Sequence, residues 1–208
     1  MHQLLYNTIM RFIKAILEFV MEILETVVFI GSLFIVIYLF IAAPNQVKGE
    51  SMMPTFQNGN YIFTSKVTYK MRTPVRGDVV VFHSPGNAEI EYIKRIIGLP
   101  GDVVMLQNQE VYVNGKKLNE PYISAKTLPL PGGYAEENVP MNIPQGYYFV
   151  MGDNRPHSSD SRDFGPITYE SIVGQVFYRY FPADKMGRIT NPFPTNFRSM
   201  RGITLARM

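Results

Sequence analysis

From Thr26 to Ala43 the chain reads TVVFIGSLFIVIYLFIAA, eighteen residues without a charge. As a helix at ~1.5 Å per residue, that stretch spans ~27 Å, enough to cross the hydrocarbon core of a bilayer. So long an apolar run sets the chain apart into an anchor and whatever follows it. Upstream, Arg11, Lys14, Glu18, Glu22 and Glu25 recur at near-helical spacing. Residues 1–25 are therefore expected to be an amphipathic segment that continues the helix or lies along the interface. A cleaved leader would have a shorter apolar run, ~7–15 residues, and a shorter polar part before it. Pro44, directly after Ala42-Ala43, also suits cleavage there poorly. The expectation is a retained membrane span over residues 26–43, with the lipid bilayer as a partner. Arg11 and Lys14 outweigh Lys48 as flanking cations, which places the N-terminus inside and the bulk of the chain outside.

The 208 residues leave room for one further domain of ordinary size. Tyr61 to Phe63, Asp78 to Phe82, Glu91 to Ile97, Asp102 to Leu106, Tyr147 to Met151 and Ile172 to Tyr180 are short. They are rich in β-branched and aromatic residues, and the boundaries between them carry Gly, Pro or Asp. Asn114-Gly115, between Val111-Tyr112-Val113 and Lys116-Lys117-Leu118, is the clearest hairpin signal, because both turn residues need positive φ. No long stretch of period 3.6 follows the anchor. The expected fold is mainly β: one N-terminal transmembrane helix, then an antiparallel β domain over residues 44–182. Residues 124–145, rich in Pro and Gly, read as an irregular excursion from it. The domain is expected to end near Phe181-Pro182. A basic tail over residues 183–208 follows, in which Lys185, Arg188, Arg198, Arg201 and Arg207 face only Asp184. Such a tail is expected to be solvated, with anionic lipid headgroups as the alternative contact.

Cysteine is absent, which removes thiol catalysis, disulfides and thiolate metal sites together. The three histidines, His2, His83 and His157, show no metal-ligand spacing. With a net charge of only +3, no nucleic-acid partner is expected, and neither a metal nor any other cofactor.

Against that background two segments stand out: GESMMPTF, with Ser51, and EYIKRIIGLPGD, with Lys94. A hydroxyl is a weak nucleophile until a base takes its proton, and a lysine can be that base only when neutral. Apolar surroundings lower a lysine pKa, and Lys94 lies between Tyr92-Ile93 and Ile96-Ile97. The plain alternative is a strand lysine with its head in solvent. Ser51 lies eight residues past Ala43, and an extended connector of that length reaches only ~26–29 Å. The serine is therefore expected near the membrane surface.

VKGESMMPTF, RGDVVVF, YIKRIIGLPGD and GDNRPHSSDSRDFG, in this order after an apolar anchor, resemble bacterial type I signal peptidases. These membrane-bound enzymes remove signal peptides from exported preproteins. The resemblance implies a single-pass protein of the bacterial plasma membrane with its catalytic domain on the extracytoplasmic side. It implies Ser51 as nucleophile, Lys94 as general base, and Ser158 as the hydroxyl that orients the lysine. The Ser51 backbone N–H would be the first oxyanion donor. Some family members add a serine side chain two residues before the nucleophile; here that position is Gly49. Val47, Met52, Phe56, Tyr92 and Ile93 would line shallow pockets that accept small residues one and three before the cut. Arg95, Asp153, Asp160 and Arg162 would support the site structurally, with Arg95 pairing Asp153. The other readings are a specialised Ser-Lys maturation protease, a self-cleaving repressor, for which an anchor in place of a DNA-binding domain is unsuitable, and a membrane-tethered β module that binds peptides without cutting them.

Overall fold

The structure, a computed structural model, describes residues 2–198, so Arg201 and Arg207 lie outside the described residues. The chain divides into a helical unit ending at Ile41 and a β unit beginning at Ala42.

In the helical unit, α1 runs unbroken from His2–Val36 and closes in a π turn over Ile37–Ile41. The amphipathic stretch is thus a continuation of the apolar helix. Residues Ile9–Val36 are long and apolar enough to cross a membrane. Thr26 and Ser32 donate their hydroxyls to the carbonyls of Glu22 and Val28, each at 2.8 Å, which satisfies polar groups that hydrocarbon would not. The span expected to reach Ala43 stops earlier, because Ala42–Gln46 is strand β1. Pro44 accounts for the change: it lacks an N–H, and it biases the residue before it towards extended backbone. β1 is an edge strand, where proline is tolerated.

The β unit continues with β2 (Tyr61–Ser65), the one-turn helix α2 (Thr68–Met71), β3 (Val79–Ser84) and β4 (Asn87–Gly98). β5 (Val103–Gln107), β6 (Glu110–Val113), β7 (Lys116–Lys117), β8 (Met141–Asn142) and β9 (Tyr147–Met151) follow. Then come α3 (Ser161–Phe164), β10 (Ile167–Thr168), β11 (Ile172–Phe181), β12 (Gly187–Arg188) and α4 (Thr195–Arg198). One sheet has the order β1-β2-β11-β3-β4-β9-β10, with β12 paired to β11; the second has the order β7-β6-β5-β8. Every ladder between these strands is antiparallel, so the fold is the mainly β domain the patterning predicts. The β6–β7 turn has φ of 53° at Asn114 and 74° at Gly115, the left-handed pair that an Asn-Gly hairpin requires.

Alternation sets the core. In β5 and β6, Val104, Leu106, Val111 and Val113 turn inward against Phe149. β3 is buried on both faces, so it feeds two further clusters. Val80 and Phe82 pack with Ile96 and Val150; Val79 and Val81 pack with Val47, Met52, Phe56 and Ile62. The excursion over 124–145 is irregular apart from β8, yet Ala135 and Ile143 join the first cluster.

The domain does not end at Phe181-Pro182. Phe193 is 3% exposed and stands edge-on to Tyr122 at 6.0 Å. Asn191 donates its side-chain amide to the Arg76 carbonyl at 2.8 Å, and the Arg76 N–H donates to the Arg198 carbonyl at 2.9 Å. The basic segment up to Arg198 therefore packs back on the domain. Its charge balance gave no sign of this, because one buried aromatic ring outweighs several solvated cations in apolar area.

Candidate active site

β4 pairs with β3 over residues 87–95 and with β9 only from Arg95 onward, so its other edge over residues 87–94 carries no strand among the described residues. Lys94 sits where that edge becomes covered. Ser51 lies in the connection between β1 and β2, a loop tightened by hydrogen bonds from Met53 N–H to the Glu50 carbonyl (3.0 Å) and from Phe56 N–H to the Met52 carbonyl (2.8 Å). In this loop Ser51 faces outward while Met52 and Phe56 point in.

Lys94 Nζ lies 2.8 Å from Ser51 Oγ. The lysine is 4% exposed, and its head also reaches the Ile93 carbonyl at 3.1 Å and stands 5.2 Å from the centre of the Tyr92 ring. Burial pushes its pKa down from 10.5 to about 8, against the pull of Asp160 and Asp153, with the Arg162 charge adding to the lowering. The solvated strand lysine is thereby excluded. A group of this kind is neutral in a useful fraction of molecules near neutral pH and sits within proton-transfer reach of a hydroxyl.

Ser158 is brought close but does not hold the lysine by a direct bond. Its Oγ is buried and has no hydrogen-bond partner among the described residues. A Cβ built on Gly152 would overlap both that Oγ and the Ser51 carbonyl, so Ser158 sits against the nucleophile's own loop. Gly49 holds φ at +89°, where a serine would be strained.

The charged residues around the site are spent on each other. Arg95 donates Nε and Nη2 to the two oxygens of Asp153 at 2.9 and 2.6 Å, and Thr55 donates its hydroxyl to the same carboxylate at 2.6 Å. Asp160 accepts from Arg162 Nε and Nη2, both at 2.9 Å, and from the Gly152 N–H at 3.0 Å. Arg155 is clamped by Glu120, and Arg76 lies 3.0 Å from Asp102. All four guanidiniums are buried, each with a carboxylate, which is what keeps such charges tolerable in a core. Arg95 and Asp153, and Arg162 and Asp160, are thus held in buried ion pairs.

An open cleft of about 850 Å³ runs from Ser51 and Lys94 along the free edge of β4, and Val47, Tyr92 and Ile93 line it. Met52 and Phe56 do not. At 1% and 0% exposed they are core beneath the cleft, because their side chains point the opposite way from Ser51. Three contributors escaped the sequence reading: Thr55, Glu120, and Asn154, which donates its backbone N–H to the Ser51 carbonyl at 3.0 Å. Asn154 belongs to a quoted motif and could have been suspected. Glu120 sits 35 positions before Arg155 with no local signal of the pairing.

Comparison with known proteins places the chain. Residues 20–181 match the family described as signal peptidase, peptidase S26. A Staphylococcus aureus protein named signal peptidase IB is 39% identical over 188 residues, covering 82% of this chain and 96% of its own. A Bacillus caldolyticus signal peptidase I is 43% identical over 151 residues, 69% of this chain and 82% of its own. The chain belongs to the peptidase S26 family of signal peptidases. It is a serine endopeptidase that removes signal peptides.

Proposed function

We propose that Ser51 and Lys94 are the dyad of this peptidase and that it cuts preproteins after small residues. The observation that carries the reading is the 2.8 Å approach of a buried lysine, its pKa lowered to about 8, to the hydroxyl of Ser51. Neutral Lys94 takes the Ser51 hydroxyl proton as Oγ attacks the carbonyl carbon of the scissile bond. The resulting oxyanion accepts from the Ser51 backbone N–H. The ammonium of Lys94 then protonates the amine as the C–N bond breaks, leaving an ester on Ser51. Lys94, neutral again, deprotonates a water that attacks the ester, and the returning proton restores the serine. Ser158, its hydroxyl buried without a partner among the described residues, turns it towards Lys94 during this cycle.

The substrate's residues before the cut extend along the free edge of β4, as an added strand. Val47, Tyr92 and Ile93 leave room there for small side chains, and Met52 and Phe56 fix their backing. α1 anchors the enzyme in the plasma membrane with the β unit on the extracytoplasmic side, where preproteins emerge. The test is to incubate the purified full chain with a preprotein and map the cut by mass spectrometry. The expected product ends in a small residue with another two positions before it. Ser51→Ala and Lys94→Met should each reduce cleavage to background, with the double variant little worse. Substantial cutting by either single variant removes the dyad.

A further inference from the structure

The cleft changes chemistry along its length. Near Ser51 its inward side chains are Val47, Val81 and Ile93. Two residues further away along each segment, the cleft is lined by Asn45 on β1, His83 on β3 and Glu91 on β4. His83 and Glu91 are directly paired across β3 and β4. Asn45 spans the gap between the cleft's two walls, donating Nδ2 to Glu91 Oε2 at 3.4 Å. That bond fixes the amide with its Oδ1 on the other side, and this oxygen is buried without a partner among the described residues. The His83 ring is already engaged through Nδ1 with the Ala88 carbonyl at 2.7 Å. Of the other charges lining the cleft, Glu89 lies beyond Glu91 on its strand, while Lys48 and Glu50 lie on the Ser51 side of Asn45.

We propose that Asn45 and Glu91 form a polar subsite for a cationic or hydrogen-bond-donating side chain, such as lysine or serine, on the fifth residue before the scissile bond. This rests on the reading that the cleft holds the residues preceding the cut. An extended substrate advances ~6.6–6.8 Å every two residues. Side chains one and three before the cut meet the apolar part, and the next on that face arrives over the hydrogen-bonded Asn45–Glu91 pair. Residues at the fourth and sixth positions point away. A donor there hydrogen-bonds the exposed Glu91 carboxylate; a leucine covers that carboxylate without bonding it, and a glutamate meets like charge.

The experiment uses peptides with alanine one and three before the cut, varied at the fifth position among Lys, Ser, Ala, Leu and Glu. The full chain in detergent micelles is assayed for kcat/KM. The wild-type enzyme is expected to favour Lys over Glu by about fivefold or more, the scale of one partly exposed ion pair, and Ser over Leu. Glu91→Lys should invert the Lys-to-Glu ratio, a readout that cancels any general loss of rate. The same series at the sixth position should be flat in both enzymes. An unchanged ratio in Glu91→Lys, or equal rates for all five wild-type substrates, overturns the subsite. If the alanine peptide is still cut at the expected bond, only the subsite falls. If no peptide is cut, the function proposed above falls with it.

Discussion

Asn154 holds Ser51 from behind: its N–H donates to the Ser51 carbonyl and its side-chain amide donates to the Glu50 carbonyl, each at 3.0 Å. The residue before it, Asp153, is clasped by Arg95, the neighbour of Lys94. One loop therefore fixes both members of the proposed dyad, one through its backbone and one through an ion pair. Gly152 completes the arrangement, since any side chain there would overlap Ser51 and Ser158.

Asn154→Ala keeps the backbone bond and loses the amide one. Unfolding free energy is expected to fall by only ~1 kcal/mol, while kcat drops about tenfold as the nucleophile loosens. Urea denaturation beside kcat separates the two. A loss of stability with unchanged kcat would reduce Asn154 to scaffolding.

The pH profile should carry an acidic limb near the Lys94 pKa of about 8. Below it the base is protonated, and kcat/KM should fall about tenfold for each pH unit. His83 and His157 both line the cleft and are the groups that could imitate this limb. Replacing both by glutamine should leave it in place; a limb that disappears with either histidine reassigns the base.

The same titration has a stability consequence of definite sign. The folded pKa of Lys94 lies below its unfolded value, so between about 8 and 10.5 the unfolded chain binds more protons and stability rises with pH. Below that window the buried ammonium costs ~3 kcal/mol. Lys94→Met should therefore stabilise the fold at pH 7, by up to that amount, and the gain should shrink towards pH 10. Denaturation at the two pH values decides it. A gain of equal size at both would mean that Lys94 carries no such penalty.

Ser158→Ala removes a buried hydroxyl that has no partner among the described residues, so the fold should be as stable or slightly more so. If the hydroxyl orients Lys94 as proposed, cleavage should nevertheless decline, though less than in the dyad variants. If the rate is untouched, Ser158 has no part in holding Lys94.

Phe193→Ala empties a filled position in the core of the second sheet. A loss of ~3–5 kcal/mol is expected, measured by thermal or urea unfolding. A chain ending at Pro182 should be destabilised at least as much. Wild-type stability in that truncated form would mean that the packing of residues 183–198 contributes nothing.

Sequence alone determined the elements whose signals are local. An uncharged run of eighteen residues dictates a long apolar helix, alternating β-branched residues dictate strands, and Asn114-Gly115 dictates its turn. Ser51 and Lys94 could be suspected from their motifs, since type and neighbours suffice to suggest a nucleophile and a base. Distance between them could not be read: it depends on β4 and the β1–β2 loop meeting across 43 positions. Tertiary structure also decided that Met52 and Phe56 face the core, that Glu120 serves Arg155, and that Phe193 folds back under Tyr122. Each is a contact between segments far apart in the chain, chosen by which burial and which ion pair the whole domain can satisfy at once. No local pattern encodes that choice, because burial is a property of the packed unit and not of the segment.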